Sequence, residues 1–211
     1  VHVRRGTGAT LNEVGEELLA HLAGDQLVAT GDDGVGDHCV EHAEVAVFLG
    51  KNPFQSHGFA RTRVILREIQ KDPNRAMIVI DPRRSETAEM ADHHLAVRPG
   101  TDAWCLAALA AILVQEELVA KQWLTEHTTG YARVAEVLQG ISVSDCASTC
   151  GIDLALLRKV AERIARAKSV SMIEDLGVQM NIHSTLNSYL NRLVWLLSGH
   201  YARPGTNNAF V

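Results

Sequence analysis

Two unbroken apolar pentads, Val45–Leu49 and Ala76–Ile80, constrain this chain more than any other feature of it. Neither alternates with polar residues, so neither can be a strand with one wet face. Each reads as a strand buried on both sides, the pattern of parallel sheets covered by helices. Between them, Arg61–Lys71 puts Val64, Ile65 and Ile69 on one helical face before a break at Asp72-Pro73-Asn74. A helix-bearing crossover joins strands that are parallel neighbours. His94–Val97 is expected to add a short third strand and Ser169–Ile173 another. Thr101 is placed to cap an apolar helix running to about Glu117, with Asp102 in its first turn. Further helices are expected at Leu11–Ala23, Ala120–Glu126, Tyr131–Leu138, Leu154–Arg166 and Thr185–Leu197, with loops at Gly31–Gly36 and Glu174–Gln179. Strands alternating with helices give an α/β fold: an open, mostly parallel sheet with helices on both faces.

Composition narrows the functional classes. At 211 residues and 46% hydrophobic, the chain can bury one or two cores and is too apolar to be disordered. Its net charge of −5, from 20 Lys+Arg against 25 Asp+Glu, gives no global attraction to nucleic acid or anionic membrane. The longest apolar run, Ala103–Val114, is shorter than the roughly 20 residues that span a bilayer. No membrane span is expected, and the location is expected to be cytoplasmic, any export signal lying upstream of Val1. Basic residues crowd the window from Arg61 to Arg84, as either a local anion site or a solvated helix face would require.

Cys39, Cys105, Cys146 and Cys150 form neither a disulfide framework nor a paired C-x-x-C site, and read as reduced thiols. His38 and His42 flank Cys39 at i, i+4 spacing without a third ligand, and read as polar residues entering a strand. Cys146 and Cys150 read as isolated thiols in a polar stretch, and Trp104, Trp123 and Trp195 as core residues on helices. No Ser-His-Asp or paired-carboxylate arrangement emerges, so no catalytic residue and no metal ligand is assigned.

Three loops at strand ends share one chemical character. In open α/β sheets ligands bind at the carboxyl ends of strands. Gly50-Lys51-Asn52-Pro53 offers a flexible glycine, a cation and an amide suited to a diphosphate, though an ordinary turn has the same residues. Asp81-Pro82-Arg83-Arg84 offers a carboxylate for ribose hydroxyls and guanidiniums for phosphate, against a reading as cap and surface charge. Arg98-Pro99-Gly100-Thr101-Asp102 puts a carboxylate at a helix start. There it could match the paired N–H donors of a guanine edge or simply cap the helix. The G-x-G-x-x-G fingerprint of a plain NAD-binding domain is absent.

These segments together carry a resemblance. Val45–Leu49 followed by GKNP, then IDPRR-S-ETA and Asp92, then His94-Leu95 and Arg98–Asp102, resemble the molybdopterin oxidoreductase family, the group of formate dehydrogenases, nitrate reductases and dimethyl sulfoxide reductases. Glu174–Gln179 and the stretch ending Leu197–Gly205 look like the same family. The resemblance divides the chain into an unmatched segment, residues 1–39 with one helix, and an α/β molybdopterin guanine dinucleotide-binding portion, residues 40–211. It implies molybdenum (or tungsten) held by two pyranopterin guanine dinucleotides. Gly50, Lys51 and Asn52 would then line a diphosphate. Asp81 would bind guanosine ribose, with Arg83 as an added contact. Asp102, in the loop with Gly100 and Thr101, would bind guanine, and Gly177 and Gln179 would lie near the pterin or the second dinucleotide. A 4Fe-4S cluster and the metal's own ligand would belong to a region preceding the match, so the chain would be an internal portion of a longer enzyme. The implied activity is two-electron chemistry on a small-molecule substrate, most like formate dehydrogenase, with an electron-transfer partner subunit. The rival reading is an inactive remnant or an accessory guanine-nucleotide-binding module.

Overall fold

The computed structural model describes residues 39–207; the helix expected over Leu11–Ala23, the loop Gly31–Gly36 and His38 lie outside them. The two pentads form β1 (Val45–Leu49) and β2 (Ala76–Ile80), every residue buried, paired in parallel from Val45 opposite Ala76 to Leu49 opposite Ile80. β3 (His93–Leu95) lies outside β2, and β4 (Val170–Glu174) pairs with the other side of β1. The order is therefore β3-β2-β1-β4, all parallel.

Alternate side chains of the central strands feed two separate cores. Val45, Val47 and Leu49 of β1, with Ala76, Ile78 and Ile80 of β2, face the larger one. Ala46, Phe48, Met77 and Val79 face the smaller. Short α1 (Cys39–His42) and α2 (Pro53–Ser56) flank β1, and α3 (Thr62–Lys71) covers the smaller core with Ile65, Leu66 and Ile69. Val64, expected inside, is exposed, because the stripe set by Ile65 and Ile69 takes in Leu66 and turns Val64 outward. Arg61, Arg63, Arg67 and Arg75 belong to a solvated helix face and its edges, while Arg83 and Arg84 lie in the loop after β2. Arg61 pairs with Glu41 and Glu68, Arg63 and Arg67 lie over the Phe54 ring, and Arg75 donates to the carbonyls of Val40 and Ala43.

The larger core is built around α5 (Asp102–Gln115), buried on nearly all sides. A helix apolar all round needs neighbours all round. They are α7 (Tyr131–Gln139), α8 (Val143–Cys150), α9 (Leu154–Arg166) and α11 (Ser184–Leu197), while α4 (Glu86–Met90), α6 (Lys121–His127) and α10 (Leu176–Gln179) sit in the connections.

Several expectations are corrected. Cys39–His42 is a helical turn rather than a strand entry. α8 occupies the stretch taken as polar, and it packs Cys146, Ala147 and Cys150 against α5, so its thiols are core residues; burial pushes the Cys146 thiol up to about 12. Cys150 lies beside Cys105 rather than isolated. Thr101 holds the N-cap position of α5 but makes no side-chain cap, its hydroxyl donating instead to Arg98 O at 2.7 Å. Leu176–Gln179 is one helical turn rather than open loop. Trp195 is buried, and Trp104 and Trp123 pack against the same core.

Phe48 is fully buried and stacks on Phe59 with ring centroids 6.5 Å apart. Phe48→Ala is expected to destabilise the chain by about 3–5 kcal/mol, whereas Val64→Ala on the exposed side of α3 stays near wild type. Urea unfolding midpoints test this, and equal midpoints for the two variants would contradict the two-core assignment.

Candidate functional site

The strand order creates a crevice. β2 and β3 are added on one side of β1 and β4 on the other, so the sheet has its switch point between β1 and β4, at whose carboxyl ends open α/β sheets bind ligands. The sheet brings every residue singled out from sequence to this edge. Gly50, Lys51 and Asn52 follow β1, Asp81 and Arg83 follow β2, Gly100, Thr101 and Asp102 lead from β3 into α5, and Gly177 and Gln179 follow β4.

At the crevice two backbones meet. Gly177 N–H donates to Gly50 O at 3.1 Å. A Cβ on Gly177 would stand 2.5 Å from Gly50 O, and one on Gly50 would stand 2.7 Å from Val178 N. Gly50 also has φ +58°, where an L side chain is strained. Both glycines are therefore required by close approach. Beside them the Lys51 ammonium, only 7% exposed, pairs with the Asp175 carboxylate, with Gly58 packed over the Nζ. Burial pushes the Asp175 carboxyl up, but Lys51 and the Leu176 N–H outweigh it and hold it below the usual range.

Asn52 is spent within the protein. Its Nδ2 donates to Glu86 Oε2 at 2.8 Å, and its Oδ1 accepts from Thr87 Oγ1 at 2.7 Å. Thr87 Oγ1 in turn accepts from Phe54 N–H at 3.1 Å, so Glu86 and Thr87 of the second loop clamp the first. Asp81 Oδ1 accepts from Arg83 N–H at 2.7 Å, which turns the loop and leaves the Arg83 side chain exposed. His94 Nε2 donates to Asp81 O at 2.8 Å. Asp92 receives Met77 N–H at 2.8 Å and holds the start of β2.

Asp102 is the unusual group: a carboxylate 5% exposed, with Asn181 Nδ2 donating to Oδ2 at 2.9 Å. Burial raises its pKa, its own backbone N–H and Asn181 lower it, Asp81 raises it again, and the net displacement is upward. Asp81, at the end of β2, is therefore close enough to act on Asp102 at the start of α5. Sequence reasoning missed Asp175, Glu86, Thr87 and Asn181, which are partners of candidate residues. Glu86 and Thr87 fall within the ETA of the motif and Asp175 within Glu174–Gln179, but nothing local marks them or Asn181 as partners, since they lie 34 to 124 residues from the groups they hold. Glu174 was likewise missed. It accepts from Ser188 and Asn191 and so ties β4 to α11.

The opposite edge of the sheet also carries a cleft, of about 540 Å³, between Glu41, Asn74, Arg75 and Lys168. Its charges hold the scaffold: Glu44 accepts from Arg163 Nη1 at 2.7 Å and Lys168 N–H at 2.9 Å. Among the described residues, no group of three or more His, Cys, Asp or Glu could hold a metal ion.

A family model described as molybdopterin oxidoreductase matches residues 12–211. The chain belongs to the molybdopterin oxidoreductase family. It is 27% identical over 169 residues to the F420-dependent formate dehydrogenase subunit alpha of Methanocaldococcus jannaschii, a match covering 79% of this chain and 24% of that one. It is 28% identical over 171 residues to a nitrate reductase of Synechocystis, covering 80% of this chain and 24% of the relative. Acetylene hydratase from Pelobacter acetylenicus shares the fold with a TM-score of 0.68 at 21% identity, over 88% of this chain and 24% of that one. The chain thus spans about a quarter of the length of these relatives. Among the described residues, no helix is long and apolar enough to cross a membrane.

Two outcomes follow from this geometry. Gly177→Ala is expected to cost about 2 kcal/mol or more, since the atoms it meets are backbone and cannot rotate away; a urea midpoint equal to wild type would remove the glycine crossing from the argument. Asp102 has the opposite sign. Its pKa is raised on folding, so its contribution to stability is full at low pH and is lost as pH rises through the folded value. Asp102→Asn should be at least as stable as wild type at about pH 7, with the difference closing towards about pH 4. A variant clearly less stable at neutral pH would contradict the burial account.

Proposed function

We propose that this edge holds the guanine nucleotide part of a molybdopterin guanine dinucleotide, in a larger two-electron oxidoreductase most like a formate dehydrogenase. The observation that carries the reading is Asp102. Burial of this carboxyl disfavours its charged form and so costs stability at neutral pH, and its two oxygens can match the paired N–H donors of guanine.

The neighbouring groups fit the rest of such a ligand. Asp81 lies at the end of the adjacent strand, within electrostatic reach of Asp102, and its carboxylate suits ribose hydroxyls. Arg83 beside it presents an exposed guanidinium to phosphate. Lys51 and Asn52 act indirectly. Lys51 neutralises Asp175 and Asn52 fixes the loop through Glu86 and Thr87, while Gly50 N–H donates to Ile80 O at 2.9 Å, so these groups shape the loop rather than meet a diphosphate themselves. Gly100 and Thr101 set the turn that delivers Asp102. Gly177 and Gln179, exposed at the end of β4, face the side on which the pterin or a second dinucleotide would lie.

Molybdenum or tungsten carried by the pterin supplies the two-electron redox chemistry when bound. This chain binds and orients the nucleotide end, while the metal's own ligand, the 4Fe-4S cluster and the contacts to an electron-transfer partner belong to the remainder of a longer protein. The small-molecule substrate is met there too.

Titration of a fluorescent GDP onto the 211-residue chain tests the reading. Wild type should bind GDP in preference to ADP. Asp102→Ala should weaken GDP by at least about tenfold, the loss of a pair of charge-assisted hydrogen bonds. Equal affinity for GDP and ADP, or an unchanged Asp102→Ala, would reject Asp102 as the guanine reader.

A further inference from the structure

The group that holds Asp102 in this structure is a side-chain amide presenting an N–H, which is what a guanine edge presents. The orientation of that amide is fixed from both sides. Asn181 Oδ1 accepts from His183 N–H at 2.9 Å, and a backbone N–H can only donate, so the oxygen must face it. Nδ2 is left to donate to the Asp102 carboxylate at 2.9 Å, and a carboxylate can only accept. With Asn181 in place Asp102 is 5% exposed, too little for the edge of a base to reach both oxygens.

We propose that Asn181 is a surrogate donor that competes with guanine for Asp102, so that nucleotide binding requires the turn from Met180 to His183 to swing off the carboxylate. This rests on the reading of Asp102 as the guanine acceptor. The turn is built to move. Met180 and Ile182, on either side of Asn181, are 83% and 91% exposed, so displacing them uncovers no apolar core. The turn's inward ties are the Asn181–Asp102 hydrogen bond and an edge contact of His183 with the Trp104 ring at 5.3 Å. Along the chain it is held by Met180 N–H to Leu176 O at 3.0 Å, Asn181 N–H to Val178 O at 3.4 Å, Ser184 N–H to Asn181 O at 3.1 Å and Asn187 N–H to His183 O at 2.8 Å. Both ends are anchored. Upstream, Val178 is fully buried and Gly177 is bonded to Gly50; downstream, Asn187 is fully buried in α11. The motion is thereby confined to a few residues and leaves the glycine crossing intact.

The competition makes Asn181 a determinant of affinity and of base preference. A base without adjacent donors cannot replace the amide at Asp102, so it leaves the turn closed. A guanine edge exchanges one N–H for two.

The experiment uses the 211-residue chain and fluorescent GDP and ADP with wild type, Asn181→Ala and Asp102→Ala, alongside backbone hydrogen exchange with and without GDP. Asn181→Ala should bind GDP about tenfold more tightly than wild type, because one charge-assisted competitor is gone, and ADP should be unaffected. In wild type, GDP should speed exchange at residues 180–183 while Gly177 and Val178 stay protected, a response that a merely structural role for Asn181 would not give. If wild type binds GDP through Asp102 but Asn181→Ala binds no tighter, or exchange at 180–183 slows, Asn181 supports the site rather than competing for it and the inference is overturned. If GDP binds neither wild type nor Asn181→Ala, the guanine reading of Asp102 fails, and this inference with it.

Discussion

The contact on which the rest of the edge depends is Gly50 against Gly177. Two backbones cross there with no room for a methyl group on either, and the crossing joins the loop after the central strand to the loop after the strand added on its far side. Everything that could bind a ligand is referred to that point. Lys51 and Asp175 lie one and two residues away and hold the loops together by charge. Their burial is unequal, which makes the pair asymmetric. Lys51 is 7% exposed and Asp175 about a third, so losing the carboxylate strands a buried ammonium, whereas losing the ammonium leaves an acid that water can still reach. Fixing the ends of two strands this firmly gives the carboxyl edge of the sheet a rigid floor.

The two edges of the sheet show the same residue types in different uses. At the amino edge Glu44 is held below its usual range: burial pushes it up, but the Lys168 N–H and Arg163 outweigh that. Its charge is answered within the protein, and it stabilises the fold at neutral pH. At the carboxyl edge Asp102 has one amide donor and another carboxylate nearby, so it opposes folding at the same pH. Stability sacrificed at one group and recovered elsewhere is the usual mark of a site shaped for something other than folding.

How much of this was legible in the sequence depends on the range of the interaction. Val45–Leu49 and Ala76–Ile80 announced themselves because full burial on two faces leaves an unbroken apolar run, and their pairing followed from the helix between them. α8 did not, because Cys146, Ala147 and Cys150 make an inconspicuous stripe among Ser, Asp and Thr, and only α5 packed against it reveals them as core. Val64 was misplaced for a similar reason: its neighbours, not its own hydropathy, decide which way it turns. The strand-end loops were legible as loops carrying the right groups. Which of those groups remain available to a ligand was not, because Lys51, Asn52 and Asp102 are each engaged by a residue far away in the chain.

That last distinction alters how the motif itself is understood. Within IDPRR-S-ETA, Asp81 and Arg83 form the loop that leaves β2, with the Arg83 side chain exposed. Ser85 caps α4 through Ala88 N–H, Glu86 and Thr87 grip Asn52, and Asp92 further on pins the start of β2. The larger part of the motif is thus architecture that sets the loop after β1 against the loop after β2, and the smaller part is chemistry. A recurring pattern of this length is held together by the fold as much as by the ligand. Residues that match such a pattern identify where a nucleotide would lie before they identify what touches it. On the reading proposed above Asp102 would be that second piece, and its burial under Asn181 depends on a contact that no stretch of the motif contains.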